Sequence, residues 1–209
     1  MKKNPTISRW VLYAVFVLAV ILLVFTLYPS FMGIRVEEVT DGDSIILNNG
    51  EAVRYIGIDT PEEGEAFFVE AKEANREMLR GKKITLEYDI EKRDRYRRVL
   101  AYVWLDTVLV NAELIKKGLA TVYLFSPNLK YRDLFIRLQK EARANRLGLW
   151  SIEVSPEEYY VASKRSRRFV FHRPGCEWAR RIKQQNLLRF ETKAQALDSG
   201  YSPCRTCKP

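Results

Sequence analysis

At 209 residues the chain has room for one ordinary domain and something small beside it. Its net charge of +9 is unevenly spread: from Val161 onward there are 12 Lys and Arg against 3 Asp and Glu, so the whole excess sits in the tail. Such a tail is the electrostatic footprint of a nucleic acid or an anionic membrane, or else a merely solvated face. Three cysteines and the sole histidine all follow residue 171, an odd set that argues against a disulfide framework and for a metal.

Residues 1–9 carry Lys2, Lys3 and Arg9, and residues 10–27 are uncharged, with only Tyr13 and Thr26 mildly polar. About 20 apolar residues span a bilayer, and Trp10 and Tyr28 stand where interfacial aromatics belong. The expectation is a cytoplasmic tail over 1–9 and a transmembrane anchor over 10–29, with the lipid bilayer as partner and the remaining chain outside the cytoplasm. The alternative is a secreted protein after signal cleavage. A cleavable signal has a shorter apolar core and a small-residue cleavage site, which Tyr28-Pro29-Ser30-Phe31-Met32 does not offer.

Asp41-Gly42-Asp43 marks a turn, and a β-branched run leads away from it to Asn48-Asn49-Gly50, which turns the chain back into residues 52–58. This predicts a β-hairpin with a type I′-like tip. Asp43 lies near one strand start and Asp59 at the end of the other, so two carboxylates converge and suit a hard cation such as Ca²⁺ or Mg²⁺. Pro61 stiffens the exit, and Glu62 adds a third carboxylate beside the metal. Arg54 on the same hairpin can offer a fork-shaped cation to a phosphate. Metal, base and phosphate clamp together form a phosphodiesterase design.

Residues 65–79 read as a helix ending at Gly81, with Phe68, Ala71, Asn75, Met78 and Leu79 at mixed spacings of three and four. Strands are expected over 84–88, 100–105 and 120–125, with a short helix over 110–117 between the last two. Residues 131–146 form a long amphipathic helix with Leu134, Leu138 and Ala142 on one stripe, and Leu149 and Trp150 pack back as core. The fold class is therefore α+β: an OB-fold five-stranded β-barrel with three helices over 33–150, preceded by the transmembrane helix and followed by a small zinc-binding domain.

Residues 33–150 resemble the staphylococcal (thermo)nuclease family. The resemblance rests on the hairpin residues, on Asp94-Arg95-Tyr96-Arg97-Arg98-Val99-Leu100-Ala101-Tyr102, on Val110-Asn111-Ala112-Glu113-Leu114 and on Gly118-Leu119-Ala120. It implies Asp43, Asp59 and the Thr60 carbonyl as Ca²⁺ ligands, and Glu62 as the base for the attacking water. It further implies Arg54 and Arg98 as the arginines that hold and neutralise the phosphate, and Tyr96 and Tyr123 as walls of the nucleotide site. Arg97 replaces a family glycine, so a backbone needing positive φ there would be strained. The activity implied is an endonuclease on DNA, with RNA as a second candidate substrate, leaving 3′-phosphates. The rival is a non-catalytic OB-fold nucleic-acid-binding protein with a zinc module.

Residues 151–164 are polar and read as a linker into a module over 165–209. There His172-x₃-Cys176 and Cys204-x₂-Cys207 place four soft or borderline ligands on two knuckles, which suits tetrahedral, structural Zn²⁺ and lends folding energy to a small module. Residues 168–209 resemble the zinc-binding domain of the Ada methylphosphotriester-repair protein. His172 stands where that family's methyl-accepting cysteine would be, and a zinc-bound imidazole is no thiolate nucleophile. What remains is a basic zinc module to hold DNA, with Arg165, Arg167, Arg168, Arg180, Arg181 and Lys183 as candidate phosphate contacts; the other reading is a structural cap with solvated arginines. No protein partner is implied.

Overall fold

The computed structural model describes residues 10, 13, 15–20 and 34–209. The chain forms two compact units, 1–34 and 35–209. In the first, the described residues 10, 13 and 15–20 are helical and exposed. Among the described residues no helix is long and apolar enough to cross a membrane. Most of the expected anchor (10–29) and all of the tail (1–9) lie outside them.

The second unit begins with an antiparallel meander, β1 (Val36–Asp41), β2 (Ser44–Leu47) and β3 (Ala52–Tyr55). Ser44 pairs with Arg54 and Ile46 with Ala52, so the hairpin forms where the turn residues foretell it. Its tip differs from expectation. A type I′ turn needs positive φ at both central residues, yet only Gly50 has it here (81°). Leu47 and Glu51 pair across the three residues Asn48, Asn49 and Gly50, as in a loop closed by a glycine bulge.

The strand expected over 52–58 is broken. β3 stops at Tyr55, and β4 (Gly57–Asp59) leaves the sheet to pair with β8 (Thr121–Tyr123). The break falls at Gly57, whose φ of 82° suits glycine and whose added Cβ would stand 2.6 Å from the Phe135 ring. Asn111, fully buried, holds the kink by donating to the Ile56 carbonyl and accepting from Val103 N–H, both at 2.9 Å.

β5 (Thr85–Glu87), β6 (Val99–Leu105) and the short β7 (Val108–Leu109) complete the main sheet, in the order β1-β2-β3-β6-β5 with β7 on β6. Within this sheet only β3 and β6 run parallel. A bridge between Arg35 and Lys83 brings the two edges together, which gives the OB-fold-like curl. Three helices cover it: α1 (Phe68–Leu79), α2 (Val110–Lys116) and α3 (Arg132–Ala144). α1 starts three residues later than expected, because Phe67 is left-handed (φ 66°). α3 turns a wider face inward than the stripe expected: Ala142 is buried and Leu134 and Leu138, half-buried, pack against the core, but Phe135 and Gln139 are buried as well. Gln139 belongs to the core because its side-chain oxygen accepts Val122 N–H at 2.8 Å, which a hydrophobic pattern cannot register.

The C-terminal module has a four-stranded sheet, ordered β11-β9-β10-β12, from β9 (Tyr160–Ser163), β10 (Val170–His172), β11 (Leu187–Phe190) and β12 (Ser202–Pro203). Two short helices, α4 (Glu177–Arg180) and α5 (Lys193–Asp198), flank it. β9 lies inside the segment expected as linker and pairs with strands on both sides. Trp150 departs from expectation too: half-buried, it packs against the module's Tyr160, Phe171 and Phe190 cluster instead of the barrel core. The module is fused to the barrel. Ser126 N–H donates to the Arg167 carbonyl at 2.8 Å, Ser202 Oγ to the Val122 carbonyl at 2.6 Å, and Phe169 packs into the barrel core.

Candidate active site and zinc centre

Asp43 sits in the turn between β1 and β2, and Asp59 ends β4. Three features bring these ends together. Asn75 of α1, fully buried, donates to the Asp41 carbonyl at 3.1 Å and accepts the Tyr55 hydroxyl at 2.9 Å, which pins the turn to the sheet. Gly42 lets that turn lie against Thr60, since a Cβ there would stand 2.8 Å from the threonine side chain. Thr60 N–H donates to Asp43 Oδ2 at 3.0 Å, tying the two acidic segments directly.

Arg54 then grips both carboxylates, Nη1 at 2.6 Å from Asp43 Oδ2 and Nη2 at 2.8 Å from Asp59 Oδ1. Two carboxylates within one guanidinium fork are close enough to share a cation. Burial pushes the Asp59 carboxyl above its usual range, against the lowering pull of Arg205 and Arg54. Burial and the neighbouring Asp43 push Asp41 the same way. The Thr60 hydroxyl is buried without a hydrogen-bond partner. A pocket of crowded carboxylates and an unsatisfied oxygen fits a hard divalent ion of the Ca²⁺ or Mg²⁺ class.

Arg54 and Arg98 line one cleft of about 350 Å³ together with Tyr96, Tyr123 and Arg168. Arg98 closes a tight turn in which Asp94 accepts from Tyr96 N–H, Arg98 N–H and Arg98 Nε at 2.8–3.0 Å. Arg97 has a φ of 68° in this turn, the left-handed conformation for which the family's glycine is suited. Tyr96 is exposed, with the Arg95 and Arg98 guanidiniums 4.6 and 5.6 Å from its ring centre. Glu62 is exposed beyond Pro61 and joins the carboxylate pair through Arg205, which ion-pairs with both Asp59 and Glu62. Sequence reasoning passed over Arg205. It lies 143 positions from Glu62 and 146 from Asp59, and nothing local marks either contact.

The zinc ligands lie at the edges of short elements: His172 ends β10, Cys176 precedes α4, and Cys204 and Cys207 follow β12. Parallel pairing of β10 with β12, extended by Cys204 N–H to the Phe171 carbonyl at 2.9 Å, sets the two knuckles side by side. The ligand atoms of all four residues lie within 4.8 Å of one another, a set that fits Zn²⁺. Burial lowers the His172 pKa and so favours the neutral imidazole that binds metal.

The curled sheet, the gripped carboxylates and the arginine-walled cleft define a protein of the staphylococcal nuclease class. Residues 52–152 match the staphylococcal nuclease homologue family, and residues 156–209 match the metal binding domain of Ada. The thermonuclease of Staphylococcus intermedius is 40% identical over 124 residues, which cover 55% of this chain and 74% of that protein. Endonuclease YncB of Bacillus subtilis (strain 168) is 37% identical over 133 residues, covering 58% and 63%. Protein ParB of Escherichia coli is 31% identical over 156 residues, covering 69% and 86%. The chain belongs to the staphylococcal nuclease family and carries an Ada-type zinc-binding domain.

Proposed function

We propose that the protein is a calcium-dependent endonuclease that hydrolyses phosphodiester bonds of DNA, with RNA as a second substrate, and leaves 3′-phosphates. The observation that carries this is the Arg54 fork across Asp43 and Asp59, in a cleft shared with Arg98, Tyr96 and Tyr123. Asp43, Asp59 and the Thr60 carbonyl would hold Ca²⁺, which supplies Lewis-acid polarisation of the scissile phosphate. Glu62 takes the proton from the attacking water. Arg54 and Arg98 offer N–H donors where negative charge accumulates on the phosphate as the 5′ oxygen departs. Tyr96 and Tyr123 wall the nucleotide. Thermonuclease and endonuclease relatives support the same reading.

Digestion of plasmid by the full chain with Ca²⁺, with chelator, and with Glu62→Gln tests it. Cutting should require the ion, and the variant should be slower by roughly 10²–10⁴-fold. A protein that shifts DNA on a gel without cutting it would instead be a binding module. The apolar stretch 10–29, with its basic N-terminal flank, supports anchoring in a membrane with the enzyme domain outside. Protease accessibility of residues 35–209 on intact cells checks that arrangement.

A further inference from the structure

Arg205 stands between two of the zinc ligands, in Cys204-Arg205-Thr206-Cys207, yet its side chain belongs to the other site. Its Nε donates to Asp59 Oδ2 at 2.9 Å, Nη2 binds the second oxygen of the same carboxylate, and Nη1 binds Glu62. The knuckle that carries it is firmly set. Cys204 N–H donates to the Phe171 carbonyl and Lys208 N–H to the Cys204 carbonyl, each at 2.9 Å, and Arg173 Nε donates to the Cys207 carbonyl at 2.9 Å. Lys208 adds a second tie along the same edge, 2.8 Å from Glu65.

Both Asp59 oxygens are thus engaged by guanidinium groups, Oδ1 by Arg54 and Arg205 and Oδ2 by Arg205. A divalent ion at Asp43 and Asp59 needs the same oxygens and is repelled by a guanidinium held there. Glu62 is a weaker base while its Oε1 holds Arg205, because the guanidinium stabilises the carboxylate. One side chain therefore engages both the Asp59 ligand and the Glu62 base, and displacing it frees both.

We propose that Arg205 is a positioning residue through which the zinc module sets the divalent-cation affinity of the nuclease site. The zinc knuckle holds a guanidinium on Asp59 and Glu62, and the incoming ion displaces it, freeing the base in the same movement. This rests on the proposed role of Asp43 and Asp59 as cation ligands. It makes the zinc centre the mount of an active-site cation.

Calorimetric titration of Ca²⁺ into the full chain tests the idea, with wild type beside Arg205→Ala, Arg205→Gln and Arg205→Lys. Removing the charge should tighten Ca²⁺ binding by on the order of tenfold or more in the first two variants, while lysine, which keeps the charge, should stay near wild type. The Ca²⁺ concentration for half-maximal digestion should fall in parallel. A residue that merely braces the fold would weaken binding or leave it unmoved when removed. If wild type binds Ca²⁺ and the alanine and glutamine variants bind it no more tightly, the Arg205 proposal fails and the nuclease reading survives. If neither wild type nor variants bind Ca²⁺, the carboxylates are not a cation site and both ideas fall.

Discussion

Asp43 and Asp59 are held in place by the barrel's own framework, whereas the four zinc ligands hang on a module with a small core. At the carboxylates, Asn75 fixes one turn, Asn111 fixes the kink before β4, and Gly42 and Gly57 permit the close approaches. That site keeps its shape because Asn75 and Asn111, both fully buried, satisfy the Asp41 and Ile56 carbonyls within the protein. At the zinc centre the ligands lie at strand ends and just before a four-residue helix, and Cys176 and Cys204 belong to a cluster of only four buried residues. A module of that size draws much of its folding energy from the ion. The lesson is that the barrel's fold itself positions the carboxylates, whereas the zinc module depends on its ion.

The largest expected effect falls on the zinc side. Cys204→Ser should abolish zinc retention and leave residues 156–209 open to limited proteolysis, while residues 35–150 stay resistant; metal content and fragment masses report the outcome. Structural zinc contributes on the order of 10 kcal/mol in small modules. Unfolding of the whole chain would show that the barrel leans on the module as well.

Gly57→Ala attacks the framework side. The new methyl meets the Phe135 ring on a backbone that disfavours it, so a loss of about 2–4 kcal/mol is expected, read as a lower thermal midpoint with zinc content unchanged. A neutral outcome would mean that β4 and Asp59 are held less rigidly than the kink implies.

The smallest effect sharpens the comparison by probing the framework away from both sites. Glu87 on β5 accepts from Trp104 Nε1 at 2.7 Å and the Tyr131 hydroxyl at 2.8 Å, and pairs with Lys130. Burial pushes its carboxyl up, but the Lys130, Tyr131 and Trp104 bonds outweigh that and hold it below its ordinary 4.5. Its stabilisation is therefore present above pH 4.5 and lost as pH falls through the depressed value. Glu87→Gln should cost about 1 kcal/mol at pH 7, limited because the Lys130 partner is exposed. The gap to wild type should narrow below pH 4.5 in urea melts; a constant gap would remove the charge from the explanation.

Much of this was legible along the chain where the physical signal is local. Alternating β-branched runs and the Asp-Gly-Asp and Asn-Asn-Gly turns marked the hairpin, and α1 and α3 were placed within three residues of their ends. Other features left no local trace. The α3 stripe of Leu134, Leu138 and Ala142 leaves out Gln139, which looks polar, and only its bond to Val122 explains its burial. The strand through 52–58 read as continuous because glycine at 57 weakens a strand pattern without announcing a change of partner. The segment 151–164 looked like linker because β9 gains its strand character from neighbours on both sides.

By itself the sequence determined the residue types and their grouping: two aspartates, a glutamate and an arginine on and beside one hairpin, and one histidine with three cysteines on two knuckles. Residue chemistry and short spacings travel with the chain whatever its fold. Only the tertiary structure decided that Arg205, 146 positions from Asp59, reaches across to it from the zinc knuckle. Contacts between distant residues are selected by how whole elements pack, and packing leaves no period in the sequence to read.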